Sequence, residues 1–154
     1  MSYEDRLVTL KVTLPETPKP VAAYVPGLMV GDMVYTSGQL PLAKGELQFY
    51  GKLGDELTVE QGAEAARLCA INCLAVVRGL AGSLDRVEQI VKVTGYVASA
   101  PGFTAQPQVL NGASEFIQQV FGEAGRHTRS AVGVAELPLG APVEIEMIVK
   151  LKRE

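Results

Sequence analysis

The chain has few of the residues from which metal centres and catalytic triads are built. Its 154 residues include one histidine, His127, which excludes any metal cluster that needs several. Cys69 and Cys73 lie one helical turn apart without further candidate ligands, a pattern typical of thiols packed in a core. Ser37 has no accompanying His and Asp pattern, which disfavours a nucleophilic role. The sequence therefore predicts no metal site.

Long apolar runs and strong charge are also absent. No run approaches the roughly 18 residues of a membrane span, and the first five residues lack the cationic flank and apolar region of a secretion signal. With two cysteines and no signal, we expect a cytoplasmic protein with reduced thiols. The net charge of −3 and pI of about 5.3 give no general attraction for nucleic acid.

Apolar residues are abundant instead. They make up 47% of the chain, and the mean hydropathy is +0.18, which is high for a soluble monomer. The surplus apolar surface predicts contacts with other subunits. No internal repeat, low-complexity tract or linker divides the chain, so we expect a single domain over residues 1–154.

Hydrophobic periodicity predicts six strands and two helices. The first helix begins after Thr58, with Gln61 completing a capping box, and ends at Gly79–Gly82. The second has Pro107 in its first turn and ends at Gly122–Gly125. Residues 42–56 are predicted to form a loop that can contain a short extended piece. The strands are Leu7–Leu14, Val21–Val25, Met33–Ser37, Val87–Val97, one opening at Arg129, and Val143–Leu151, with Pro15, Pro18 and Pro20 forming a stiff connector after the first.

This order predicts an α+β, two-layer sandwich, with both helices on one face of a mostly antiparallel sheet. The turn at Leu137–Pro142 predicts that the last two strands form a hairpin. In that register Arg129 and Glu144 lie about 20 Å apart, so one substrate could contact both only if they came from different chains. Ile90, Tyr96 and Ile148 fall on the second face of the sheet, which another copy of the sheet could cover.

Six stretches of the chain follow a pattern that extends from Tyr24 to the last strand: Tyr24–Gly27, Val34–Pro41, Ile90–Thr94, Val109–Asn111, Arg129–Pro138 and Val143–Glu146. Through these stretches the sequence resembles the YjgF / reactive-intermediate deaminase (Rid) family, also labelled L-PSP endoribonucleases. The resemblance implies a chorismate-mutase-like fold and a homotrimer whose sheets pack into a central barrel, with ligand clefts between subunits.

The resemblance further implies hydrolysis of 2-imino or enamine acids to 2-keto acids and ammonia, with no metal or cofactor. By this resemblance Arg129 holds the substrate carboxylate and Glu144 positions the attacking water. Tyr24, Ser37 and Asn111 match positions that line the cleft, and Ala131 matches a position whose main chain contacts the ligand.

Two departures from the deaminase branch support an alternative. Arg126-His127-Thr128 stands where that branch has Phe-Pro-Ala, and Ala131 stands where it has Cys. The alternative is a non-catalytic homotrimer that binds a small carboxylate. An endoribonuclease is disfavoured by the acidic pI and the single histidine.

Each candidate residue also has a plain structural explanation. Arg129 could form an intersubunit salt bridge instead of a bidentate carboxylate clamp. Glu144 could be a solvated carboxylate, or, if covered, a base with a raised pKa. His127, between Arg126 and Arg129, is predicted to be a surface residue whose pKa is depressed. Tyr24 could be an edge aromatic, Asn111 a helix-surface amide and Ser37 a turn former.

Overall fold

A five-stranded mixed sheet with helices packed on one face forms the protein. A computed structural model describes residues 1–17 and 23–154. The helices are α1 (Tyr3–Thr9), α2 (Val59–Ala81) and α3 (Gln106–Phe121), and short 3-10 turns cover Leu84–Arg86, Gly122–Gly125 and Pro138–Gly140. The strands are β1 (Gly27–Val30), β2 (Met33–Thr36), β3 (Leu42–Ala43), β4 (Glu46–Leu47), β5 (Val87–Ala98), β6 (Thr128–Val134) and β7 (Val143–Leu151). This confirms the α+β class.

The strand order in the main sheet is β1-β2-β7-β5-β6, and β3 and β4 form a separate small ribbon. β6 runs parallel to β5, whereas the other neighbouring pairs are antiparallel. The predicted hairpin of the last two strands is therefore wrong, because β5 lies between them. A parallel pair needs a long crossover, and α3 supplies it between β5 and β6. The register places Arg129 beside Val93 and level with Met147, not opposite Leu151.

The start of the chain is helical where a strand was predicted. Ser2 and Asp5 form a reciprocal capping box that begins α1, and Lys11 adopts a positive φ of 58° just after the helix. Leu7 is the buried residue of α1. The β-branched residues that suggested a strand over Leu7–Leu14 were outweighed by this cap and by docking of Leu7 into the core.

The predicted strand Val21–Val25 is also wrong where it can be compared. Val21 and Ala22, like Pro18 and Pro20 of the predicted connector, lie outside the described residues. Residues 23–25 form no strand, with bends at Ala23 and Tyr24, and β1 begins only at Gly27.

Both long helices confirm their predicted boundaries. Thr58 and Gln61 make the capping box of α2, Gly82 caps its end, and α3 carries its proline in the first turn. The two helices cross closely at Gly112, where a Cβ atom would lie 2.0 Å from the carbonyl oxygen of Ala63. Only glycine permits that approach.

One face of the sheet packs against α2 and α3, and the opposite face does not. Alternate residues of β7, from Val143 to Leu151, are buried on the helix face. Ile90, which was expected on the other face, also lies in this core, because register shifts in β5 on either side of its pairing with Val149 change the alternation. Several apolar side chains stay exposed on the other face, namely Leu28, Val30, Tyr35 and Val132.

Within the described residues, no helix combines the length and the apolar character that crossing a lipid bilayer requires.

Candidate functional site

Arg129 lies on β6, at the edge of the sheet, on the face that carries the helices. Its main chain pairs with Val93, which is fully buried on that face. The guanidinium reaches α3, where Nη1 donates to Asn111 Oδ1 at 2.9 Å and to Ser114 Oγ at 3.1 Å. Nη2 makes a longer contact of 3.4 Å with the carbonyl of Pro107. The crossover helix thus fixes one end of the guanidinium.

The other edge of the guanidinium, formed by Nε and Nη2, makes only the 3.4 Å contact with the Pro107 carbonyl among the described residues. Both hydrogens of Nη1 are used, whereas Nε has no hydrogen-bond acceptor among the described residues. No carboxylate in that part of the chain forms an ion pair with Arg129. Nε and Nη2 donate along the same edge of the planar group, which is the geometry that binds a carboxylate through two parallel bonds.

A chain of hydrogen bonds continues behind Arg129. Ser114 Oγ lies 2.9 Å from His127 Nε2, and His127 Nδ1 lies 2.6 Å from the carbonyl oxygen of Gly125. Ser114 is buried and His127 is partly buried, so the prediction that His127 is a surface residue was wrong. Burial is the main cause that lowers the pKa of His127; the hydrogen bond to the Gly125 carbonyl opposes it, and the nearby Arg129 charge adds a smaller lowering.

Sequence reasoning missed this network. Ser114 follows Asn111 by one helical turn, so both side chains share the face of α3 that meets β6. That spacing was the available signal, but it becomes informative only once β6 is known to lie beside α3.

Ala131 follows Arg129 by two residues and lies on the same face of β6. It pairs with Gly95 and packs against the core from a partly buried position. Arg129, Asn111 and Ala131 are therefore brought together at one edge of the sheet.

Glu144 lies on the opposite face, alternating along β7 with the buried Val143 and Ile145. Its carboxylate rests against Gly38, where a Cβ atom would lie 2.6 Å from Oε2. Burial first, and the neighbouring Glu146 second, raise the pKa of Glu144 above its usual range. The carboxylate is thus neither freely solvated nor paired with a cation in the described part of the chain.

Glu146, two residues further along β7, has a different partner. It accepts a hydrogen bond of 2.6 Å from the hydroxyl of Tyr96, an arrangement that raises the pKa of that phenol to about 12. Glu146 is therefore hydrogen-bonded, whereas Glu144 accepts no hydrogen bond from the described side chains.

Ser37 and Tyr24 lie at the far side of the sheet from Arg129. Ser37 follows β2, and its Oγ donates to the carbonyl of Val25 at 2.6 Å while its N–H donates to that of Pro26 at 2.7 Å. Tyr24 is 67% exposed. Three strand spacings, about 14 Å, separate β2 from β6.

The six candidate residues thus lie in two regions of one chain. Arg129, Asn111 and Ala131 lie at the β6 edge on the helix face, whereas Glu144 lies on the open face against Gly38, next to Ser37, with Tyr24 further along on that side of the sheet. A cleft formed by one chain would have to cross the sheet to contain both regions.

Comparison with known proteins identifies relatives across nearly the whole chain. Protein TCP17 of Trypanosoma cruzi is 44% identical over 146 residues, which are 94% of this chain and 91% of that protein. The 2-iminobutanoate/2-iminopropanoate deaminase of Dermatophagoides farinae is 32% identical over 142 residues, covering 92% of this chain and 95% of the relative.

Solved structures agree with the fold. The protein Atu1372 of Agrobacterium tumefaciens superposes with a TM-score of 0.90 at 44% identity, over 97% of this chain and 93% of that one. Escherichia coli TdcF, solved with bound serine, superposes with a TM-score of 0.64 at 29% identity, over 90% and 94% of the two chains. A family model described as "YjgF/chorismate_mutase-like, putative endoribonuclease" matches residues 4–151. By its sequence and its architecture, the chain belongs to the YjgF/chorismate-mutase-like family.

Proposed function

We propose that the protein hydrolyses reactive 2-imino or enamine acids to 2-keto acids and ammonia, in a cleft between subunits of a homotrimer. The observation that carries this proposal is the guanidinium of Arg129, whose Nη1 is held by α3, whereas Nε has no acceptor among the described residues and Nη2 makes only a 3.4 Å contact with the Pro107 carbonyl. Two relatives support it: one is named a 2-iminobutanoate/2-iminopropanoate deaminase, and another was solved with bound serine, a small carboxylate.

The reaction asks little of the protein beyond orientation. Arg129 binds the carboxylate and fixes the adjacent C=N carbon. Water adds to that carbon while Glu144 accepts a proton from it, and the proton then passes to the nitrogen. The resulting carbinolamine loses ammonia and leaves the 2-keto acid, so one water is consumed for each ammonia released. A raised pKa makes Glu144 a stronger base than an ordinary surface carboxylate.

The trimer is proposed because the groups that this chemistry needs lie apart in one chain. Arg129 lies on the helix face at the β6 edge, and Glu144 lies on the open face of β7. A neighbouring copy docked along the β6 edge could bring its own Glu144, Ser37 and Tyr24 to Arg129. The apolar side chains exposed on the open face, Leu28, Val30, Tyr35 and Val132, would be buried by such packing.

The replacement of Cys by alanine at position 131 does not remove the role proposed for that residue. The resemblance assigns a main-chain contact to Ala131, and its main chain lies two residues from Arg129 on the same strand.

A carboxylate-binding trimer without turnover is the second candidate. The position of Glu144 favours it, because the carboxylate rests on Gly38 and shares no cavity with Arg129 inside one chain. If the subunits do not bring Glu144 to Arg129, the clamp remains but no base faces the water.

A coupled assay separates the two candidates. Threonine dehydratase releases the 2-imino acid, and semicarbazide trapping reports how much of it survives. We expect the wild-type protein to lower the trapped fraction and accelerate formation of 2-ketobutyrate. Arg129→Ala should abolish the effect, whereas Arg126→Ala, a nearby exposed arginine paired with Glu123, should retain it.

Two other outcomes would contradict the proposed hydrolysis or the intersubunit cleft. Binding of 2-ketobutyrate without any acceleration would leave only the carboxylate-binding trimer. A monomer by light scattering at assay concentration would contradict the intersubunit cleft in both candidates.

A further inference from the structure

Hydrogen bonds link Gly125, His127 and Ser114 to Arg129. Which group donates and which accepts in each bond follows from the chemistry of the atoms. The carbonyl oxygen of Gly125 can only accept, so His127 Nδ1 carries a hydrogen and donates to it at 2.6 Å. In the neutral ring Nε2 then has a lone pair and accepts the hydroxyl hydrogen of Ser114. The oxygen of Ser114 therefore presents only lone pairs to Arg129 Nη1, 3.1 Å away.

The order of the chain is thus fixed by its two ends. A carbonyl at one end selects the tautomer of His127, and that tautomer orients the hydroxyl of Ser114 toward the guanidinium. Asn111 Oδ1 takes the second hydrogen of Nη1 at 2.9 Å. Nη1 is saturated as a result, and the guanidinium cannot turn this end toward a ligand without breaking two hydrogen bonds.

We propose that Ser114 and His127 are a positioning pair for Arg129, which hold its guanidinium so that the Nε–Nη2 edge is presented to the substrate carboxylate. This inference rests on the proposed function, in which Arg129 binds that carboxylate. Neither residue touches the substrate, and both act through Arg129.

The pair gives a physical role to a residue that otherwise marks a departure from the deaminase pattern. An arginine side chain loses considerable rotamer freedom when it is held in one geometry, and a pre-formed network removes that cost from the binding step. His127 immediately precedes the strand that carries Arg129, so it can brace that side chain from behind through Ser114. A histidine at position 127 therefore fits a site in which a different residue holds the Arg129 side chain, and not a site that has lost its function.

The test uses the full-length protein and has one arm that needs no ligand. In ¹⁵N NMR spectra we expect wild-type His127 in the Nδ1–H tautomer and restricted rotation of the Arg129 guanidinium. Ser114→Ala and His127→Ala should both release that rotation. Ser83→Ala, which removes the partly buried serine hydroxyl that caps the Leu84–Arg86 turn, should leave it unchanged.

The second arm measures binding and turnover. Ser114→Ala and His127→Ala should raise the Kd for 2-ketobutyrate and the KM for the imino acid about tenfold, as expected for loss of one hydrogen bond to a charged group, with a smaller change in kcat. Ser114→Thr and His127→Gln keep a hydroxyl and a hydrogen-bonding amide, and at least one should recover most of the affinity. Circular dichroism and thermal melts confirm that each variant is folded.

The results distinguish this proposal from the proposed function. If Arg129→Ala loses binding but the Ser114 and His127 variants change neither Arg129 rotation nor affinity, the positioning role is wrong and the clamp stands. If the wild-type protein neither binds 2-keto acids nor hydrolyses the imine, the proposed function fails. The rotation measurement then still decides whether the pair immobilises Arg129.

Discussion

Arg129 and Glu144 project from opposite faces of one sheet, with β5 between the strands that carry them. Arg129 is level with Met147, so only three residues of β7 separate the two positions along the strand direction. The barrier to their meeting in one chain is therefore the sheet itself, not distance along a ribbon.

Mixed assemblies should reveal that arrangement. Arg129→Ala and Glu144→Ala proteins, each inactive alone, should regain about a quarter of wild-type activity after unfolding and refolding together in equal amounts. That fraction follows from random assortment in a symmetric ring, where a seam is intact only if one neighbour supplies the arginine and the other the glutamate. Mixing Arg129→Ala with the Arg129→Ala/Glu144→Ala double variant gives the baseline, and activity no higher than that baseline would place both groups in one chain.

Arg129→Lys tests the bidentate clamp itself. An ammonium keeps the charge but cannot donate two parallel hydrogen bonds from one planar edge. An ammonium that donates to Asn111 and Ser114 keeps a single N–H for the ligand. We expect kcat/KM for the imino acid to fall by about 100-fold, since two charge-assisted bonds are affected. Arg126→Lys should be neutral, and near-normal kinetics for Arg129→Lys would show that charge alone suffices.

Glu144→Gln should stabilise the protein at neutral pH. The pKa of Glu144 is raised in the folded state, so its ionised form is disfavoured there relative to the unfolded chain. The wild-type protein should thus lose stability as the pH rises from about 4.5 through the raised pKa, and the variant should not show that loss. The difference in Tm between the two proteins should therefore be larger at pH 7 than at pH 4.

The matched control is Glu115→Gln, an exposed carboxylate on α3. Its effect on Tm should be small at both pH values. If Glu144→Gln were the less stable protein at pH 7, the carboxylate would have a stabilising partner in the assembled protein, and the burial argument would fail.

The contact between α2 and α3 should not tolerate a methyl group at Gly112. Its Cβ would lie 2.0 Å from the carbonyl of Ala63, a backbone atom that cannot rotate away. Gly112→Ala should cost about 2–3 kcal/mol by overpacking, even though alanine is the better helix former. At this chain length that is a fall in Tm of roughly 5–10 °C. As a control, Gln119→Ala at an exposed position of α3 should change Tm by little. An unchanged Tm for Gly112→Ala would show that α2 and α3 can move apart without cost.

The sequence predicted correctly those helices and strands whose signals lie within a few neighbouring residues. The capping box of Thr58 and Gln61, the proline at the start of α3 and the alternation along β7 all depend on neighbours within one turn or one strand, and each is present. Ser2 and Asp5 form an equally local signal for α1, but the β-branched residues that follow them favour a strand.

The order of the strands could not be predicted in this way. A proline and glycine turn between two strands favours a hairpin, yet the parallel pairing of β5 with β6 through α3 prevails. That pairing decides which helix lies beside Arg129, and hence that Ser114 and His127 belong to the same network. Candidate residues were therefore recognisable singly, whereas their grouping depended on non-local contacts.

The placement of β7 has a consequence for how the protein acquires its structure. This strand is the sole link, among the described strands, between the β1–β2 pair and the β5–β6 pair. During synthesis the β1–β2 pair and the β5–β6 pair therefore each keep one strand edge without a hydrogen-bonding partner until residues 143–151 have left the ribosome. Long-range closure of this kind is slow and exposes hydrogen-bonding edges meanwhile, so nascent chains of this protein should depend on chaperones until the last strand is inserted.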